Sequence, residues 1–102
     1  LDGKSEAILV DVATSSWYSL VITGNNFIIQ SGDPQAVRIS GTSEGGYQYQ
    51  VIQVSSNNFM KGGKAIGYSS NIRTAVHGNV CRATSLGVSG SGTLQLGSNF
   101  NF

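Results

Sequence analysis

Apolar side chains along this 102-residue chain alternate with polar ones instead of recurring every three or four positions. That is the period of a half-buried strand, not of a helix. Short runs rich in Val, Ile, Thr and aromatic residues predict strands over 7–13, 18–23, 27–30, 36–40, 47–54, 65–68, 72–76, 80–84 and 93–96. Between them lie segments with turn chemistry: GNN at 24–26, SGDP at 31–34, GTSEGG at 41–46, SSNN at 55–58 and KGGK at 61–64. In YQYQVIQV (47–54) the apolar face switches at Val51–Ile52. Such a switch fits a bulge, or a strand passing between two sheet environments. The pattern predicts an all-β domain spanning 1–102, with no linker long enough to separate a second.

The stretch VHGNVC (76–81) holds the only histidine and the only cysteine. Gly78-Asn79 predicts a two-residue hairpin, with His77 opposite Val80 and Val76 opposite Cys81. Alternation then puts Cys81 on an apolar face with Ile72, Thr74, Val76 and Ala83, and His77 on the other face with Arg73 and Arg82. A cysteine nucleophile needs a base within hydrogen-bond reach, and opposite faces deny it one. A zinc site lacks further Cys or His ligands. Cys81 is therefore expected in the core. Arg73, Arg82 and His77 are expected to form a small basic cluster able to hold an anion or a partner.

Composition changes the picture in one respect. Charged residues are only 11% of the chain and the net charge is +1, so little electrostatic repulsion opposes self-association. All five carboxylates (Asp2, Glu6, Asp11, Asp33, Glu44) lie in the first 44 residues, and from Gly45 onward only Lys61, Lys64, Arg73 and Arg82 are charged. An acidic end could meet a basic end on a partner or on the next copy. One cysteine excludes an intrachain disulfide. The chain begins at Leu1, which is expected of a processed product or an excised piece. A secreted, cell-surface or virion location is expected from the charge-poor surface.

Catalytic patterns are not evident. Asp11, Asp33 and Glu44 share no motif, Asp33 has a role as a turn residue before Pro34, and neither a nucleophile elbow nor a phosphate-binding loop appears. The sequence therefore predicts no enzyme, no cofactor and no metal site. Four spaced basic residues do not make a nucleic-acid-binding stripe. No apolar run spans a membrane as a helix. Glycan binding has better support, because Trp17, Tyr47 and Tyr49 stand among abundant Asn and Gln and supply amphipathic surfaces for sugar rings.

Two segments resemble known families. LVITGNNF (20–27), with AVRISG (36–41) and VIQVSSNNF (51–59), resembles the strands of IPT/TIG immunoglobulin-like domains through Leu20, Ile22, Gly24, Asn26 and Phe27. This implies a β-sandwich module that is usually non-catalytic, although the Pro/Gly lead-in is replaced by SSWY. QLGSNFNF (95–102) looks like the terminal β-signal of outer-membrane barrels, through Gln95, Gly97, Phe100 and Phe102. It implies a strand contributed to an oligomeric barrel, since the chain is short for a closed barrel of its own. TLQLGSNF also echoes LVITGNNF, as a repeated strand-turn solution would. The fold expected is an immunoglobulin-like or related antiparallel β-sandwich. The function expected is a non-catalytic structural or binding module working through contacts with itself or neighbouring subunits. A glycan-binding adhesin module, or a subunit of an outer-membrane oligomer, is the alternative.

Overall fold

The computed structural model describes residues 6–12, 19–30, 35–42 and 51–102. Its strands are β1 (Ile8–Asp11), β2 (Ser19–Thr23), β3 (Asn26–Ile28), β4 (Val37–Gly41), β5 (Val51–Ser55), β6 (Asn58–Met60), β7 (Ile66–Ser70), β8 (Arg73–His77), β9 (Val80–Arg82), β10 (Leu94–Leu96) and β11 (Phe100–Asn101). They form three sheets, in the orders β1-β4-β7, β10-β8-β5-β2 and β11-β9-β6-β3. All paired strands within them run parallel. The chain visits the first, second and third sheet in turn, then repeats the circuit directly against the previous coil. This is a β-solenoid. A fourth coil closes the described stack: Ile66 donates to the Leu86 carbonyl, and β10 and β11 then follow.

The antiparallel immunoglobulin-like sandwich expected from the sequence is thus corrected, although the all-β class stands. Gly78-Asn79 is the clearest case. It is a corner between β8 and β9, which belong to different sheets, and not a hairpin joining two partners. His77 pairs in register with Ser55, and Cys81 pairs with Phe59. The local backbone demand is common to both structures, since a sharp turn needs a residue at positive φ. Gly24 (φ 73°), Ser56 (φ 56°) and Gly78 (φ 68°) meet that demand in successive coils. Only the destination of the next strand differs, and turn chemistry does not encode it. The segments that resemble IPT/TIG strands lie within β2–β3, β4 and β5–β6 of parallel coils.

Parallel register stacks equivalent positions into columns. Leu20, Ile52, Thr74 and Leu94 form one inward column of the second sheet, and Ile22, Val54 and Val76 form the next, in register with the exposed Leu96 of the last coil. Phe27 and Phe59 face inward from the third sheet with rings stacked at 5.0 Å and 9°, and Cys81 continues that column. Ile8, Val37 and Ile66, with Val10, Ile39 and Tyr68, line the first sheet. Each inward side chain therefore covers its equivalent in the next coil, and burying one Val, Ile or Phe contributes roughly 1.5–3 kcal/mol.

At the corner between the second and third sheets, four asparagines make a ladder. The Asn57 Oδ1 accepts from the backbone N–H of Asn25 (3.0 Å) and from its Nδ2 (3.1 Å), 32 residues earlier. The Asn79 Oδ1 accepts likewise from Asn57 (3.0 and 3.1 Å) across 22 residues, and the Asn99 Oδ1 from Asn79 (3.1 and 2.9 Å) across 20. Nδ2 groups of Asn57, Asn79 and Asn99 donate to the carbonyls of Ile22, Val54 and Val76 at 2.9, 2.9 and 3.1 Å. Asn57 and Asn79 are fully buried, and a buried amide requires such complete pairing.

Removing an interior rung of this ladder leaves a buried N–H and a buried carbonyl unpaired. Asn57→Ala and Asn79→Ala should each lower unfolding stability by about 2–4 kcal/mol. Asn25→Ala, at the exposed end, should cost less than about 1.5 kcal/mol. Urea unfolding followed by circular dichroism ranks the three. Equal losses at all three positions would contradict the ladder's role.

Candidate functional site

The solenoid brings together some of the candidate residues and separates others. Arg73 and His77 both point outward from β8, but four residues of strand place them about 13 Å apart. Arg82 points outward from β9, on the third sheet. The three therefore do not form one basic cluster, because the hairpin that would have joined them is a corner. His77 is exposed and lies beside Gly97, where an added Cβ would come within 2.9 Å of the His77 Cβ. Cys81 is buried against Phe59, and burial raises its thiol pKa above the ordinary value. Ile72, Thr74 and Val76 are buried as expected, whereas Ala83 is exposed at φ 53°.

Arg73 does line a groove. A cavity of about 280 Å³ opens on the outer face of the second sheet, bounded by Val51, Arg73, Ala75, Thr93 and Gln95, with Gly92 at its rim. Register explains why these residues meet: Val51 is the partner of Arg73, and Ala75 is the partner of Gln95. Thr93 joins them because its carbonyl accepts from the Thr74 N–H at 2.8 Å. The site is a guanidinium and an amide over a floor of small apolar side chains, while the Thr93 hydroxyl is engaged by the Tyr68 hydroxyl at 2.7 Å. Sequence inspection named Arg73 but missed Val51, Thr93 and Gln95. The signal that finds them is the recurrence of Gly/Ser-Asn after each second-sheet strand, which sets the register between coils.

Trp17 lies between β1 and β2, and Tyr47 and Tyr49 lie between β4 and β5, all outside the described residues. The groove itself lies at the N-terminal ends of β5 and β8 and beside the chain entering β10. Tyr47 and Tyr49 precede Val51 by only a few residues.

A second cavity, of about 420 Å³, opens on the outer face of the third sheet between Asn58, Met60, Val80, Arg82 and Phe102. Its walls are mostly apolar, and Phe102 is 81% exposed. The segment 95–102 that resembles a barrel β-signal is here two short strands on different sheets, broken by the corner at Gly97–Asn99.

Among the described residues, no three of His, Cys, Asp and Glu come together as metal ligands. Their one ion pair joins Arg38 to Glu6 at 3.4 Å on an exposed face, where such a pair contributes little. No described helix is long and apolar enough to cross a membrane. Comparison with protein-family models, curated proteins and solved structures found no match to the chain.

The thiol environment is open to direct measurement. Cys81 should resist alkylation by iodoacetamide in the native state and react rapidly once unfolded in urea, because only the thiolate attacks. Its raised pKa means that the folded chain keeps a proton which the unfolded chain loses first. Its contribution to stability should therefore be constant below the ordinary thiol range and decline as pH rises through it. Cys81→Ala should abolish that decline, and a slope unchanged in the variant would refute the assignment.

Proposed function

We propose that this chain is a non-catalytic binding module, with an oligosaccharide lying in the groove on the outer face of the second sheet. The groove's lining carries the proposal: Arg73 and Gln95 supply hydrogen-bond donors and an acceptor over an apolar floor of Val51 and Ala75. A sugar ring presents the same mixture, hydroxyls at its edge and C–H groups on its face. Side chains on stacked strands are held by register, so the site is pre-organised, which lowers the entropic cost of binding. Further support comes from the sequence, where Trp17, Tyr47 and Tyr49 supply rings that suit sugar stacking.

Contact with other protein surfaces is favoured by a different observation. On the third sheet, Ile28 and Phe100 point outward and are about half exposed, and Met60 and Val80 lie between them. An apolar strip on a charge-poor surface is characteristic of an interaction face.

A panel of neutral and acidic oligosaccharides, screened on an array and confirmed by calorimetry, tests the glycan site. Arg73→Ala and Gln95→Ala should each weaken binding by about tenfold or more, as expected for loss of a hydrogen bond at a desolvated contact. Tyr47→Ala or Tyr49→Ala should weaken it further. Absence of binding to every sugar, or binding indifferent to Arg73 and Gln95, would overturn the proposal.

A further inference from the structure

We infer that the third-sheet pocket receives β1 of a second copy of this chain, with Leu9 entering the apolar cavity and Asp11 pairing with Arg82. This rests on the protein-contact reading above and is independent of the groove at Arg73. Among the described residues, no acidic side chain compensates the positive charge on the pocket side. Arg82 is exposed among Met60, Val80 and Phe102, Lys61 follows Met60, and neither cation has an ion-pair partner among the described residues. No Asp or Glu occurs from Gly45 onward to supply one.

The complementary feature lies on the first sheet of the same molecule. Leu9 is 58% exposed, the most open large aliphatic side chain among the described residues. Asp11 is two residues further along the same strand and so shares its outward face. Asp11 is exposed and has no ion-pair partner among the described residues. Among the described residues, the other charges on that face, Glu6 and Arg38, pair with each other at 3.4 Å, which leaves Asp11 as the unpaired one. An apolar knob beside a carboxylate on one face thus matches an apolar pocket beside a guanidinium on another.

The two surfaces belong to different sheets, so the contact is heterologous. Repeated, it builds an open chain of copies instead of a closed twofold dimer. A knob and a pocket of this size bury less than a stable dimer requires, so association is weak and depends on concentration.

Sedimentation velocity across a wide concentration range tests this. The wild-type chain should shift to larger species at high concentration. Asp11→Arg and Arg82→Asp should each raise the concentration needed by about tenfold, since attraction becomes like-charge repulsion. Leu9→Ser should do the same without altering charge. The double variant D11R/R82D, and an equimolar mixture of the two single variants, should both recover association. All these positions are exposed, and circular dichroism verifies that the fold is retained. A wild-type chain that stays monomeric, or charge reversals without effect and without recovery, would overturn the inference. Loss of sugar binding in Arg73→Ala would leave it untouched.

Discussion

The asparagine ladder is the constraint on which the rest of the structure depends. Each coil must turn sharply between its second and third strands, and that turn leaves a backbone N–H and a carbonyl facing the interior. In a hairpin such groups would meet water. Here they lie in a stack, and the cost of leaving each unmade is about 1–3 kcal/mol. One side-chain amide from the neighbouring coil meets both demands, because its oxygen accepts two bonds while its nitrogen donates two. Asn57 and Asn79 do so in full. The bonds also tie one coil to the next at a fixed height, so the ladder sets register as well as satisfying polarity.

Once register is fixed, the core follows column by column. A slip of one residue would turn every inward side chain outward, exchanging Ile52 and Val54 for Val51 and Gln53. The phenylalanine stack of Phe27 on Phe59 lies two positions beyond the ladder, at the same offset in both coils. Its geometry therefore depends on the corner. The core of a solenoid is one coil thick at each level, so each coil is covered only by its neighbours and an error there has no deeper layer to absorb it. Local satisfaction at the corner is what makes the stack cooperative.

Much of the strand content was legible in the sequence, because alternation depends only on one face being buried. The segments 7–13, 36–40, 65–68, 72–76, 80–84 and 93–96 each contain or overlap an observed strand. Burial of Cys81 was legible for the same reason. Two strands, Asn58–Met60 and Phe100–Asn101, were hidden because Asn and Ser before them have the chemistry of turns. Pairing was not legible from local chemistry at all, since Gly-Asn serves a hairpin and a solenoid corner equally well. The distinguishing signal was long-range: ITGNNF, VSSNNF, VHGNVC and LGSNFN are one corner written four times. Seen singly, the first and second resemble immunoglobulin-like strands; seen together, they specify stacking.

The same geometry explains why the candidate sites escape a linear search. In a parallel stack, residues that touch across coils are separated in the chain by a whole circuit, as Val51 is from Arg73 and Arg73 from Thr93. No short motif can record such a neighbourhood. Residues close in the chain, by contrast, are driven apart whenever a corner intervenes, as with His77 and Arg82. Inward columns are committed to packing, so whatever the chain recognises must be carried by outward columns, whose side chains can vary without disturbing register. Arg73 and Arg82 occupy such columns on two different sheets. Each is set among apolar neighbours, so the two proposed recognition surfaces are separate where the sequence suggested a single one.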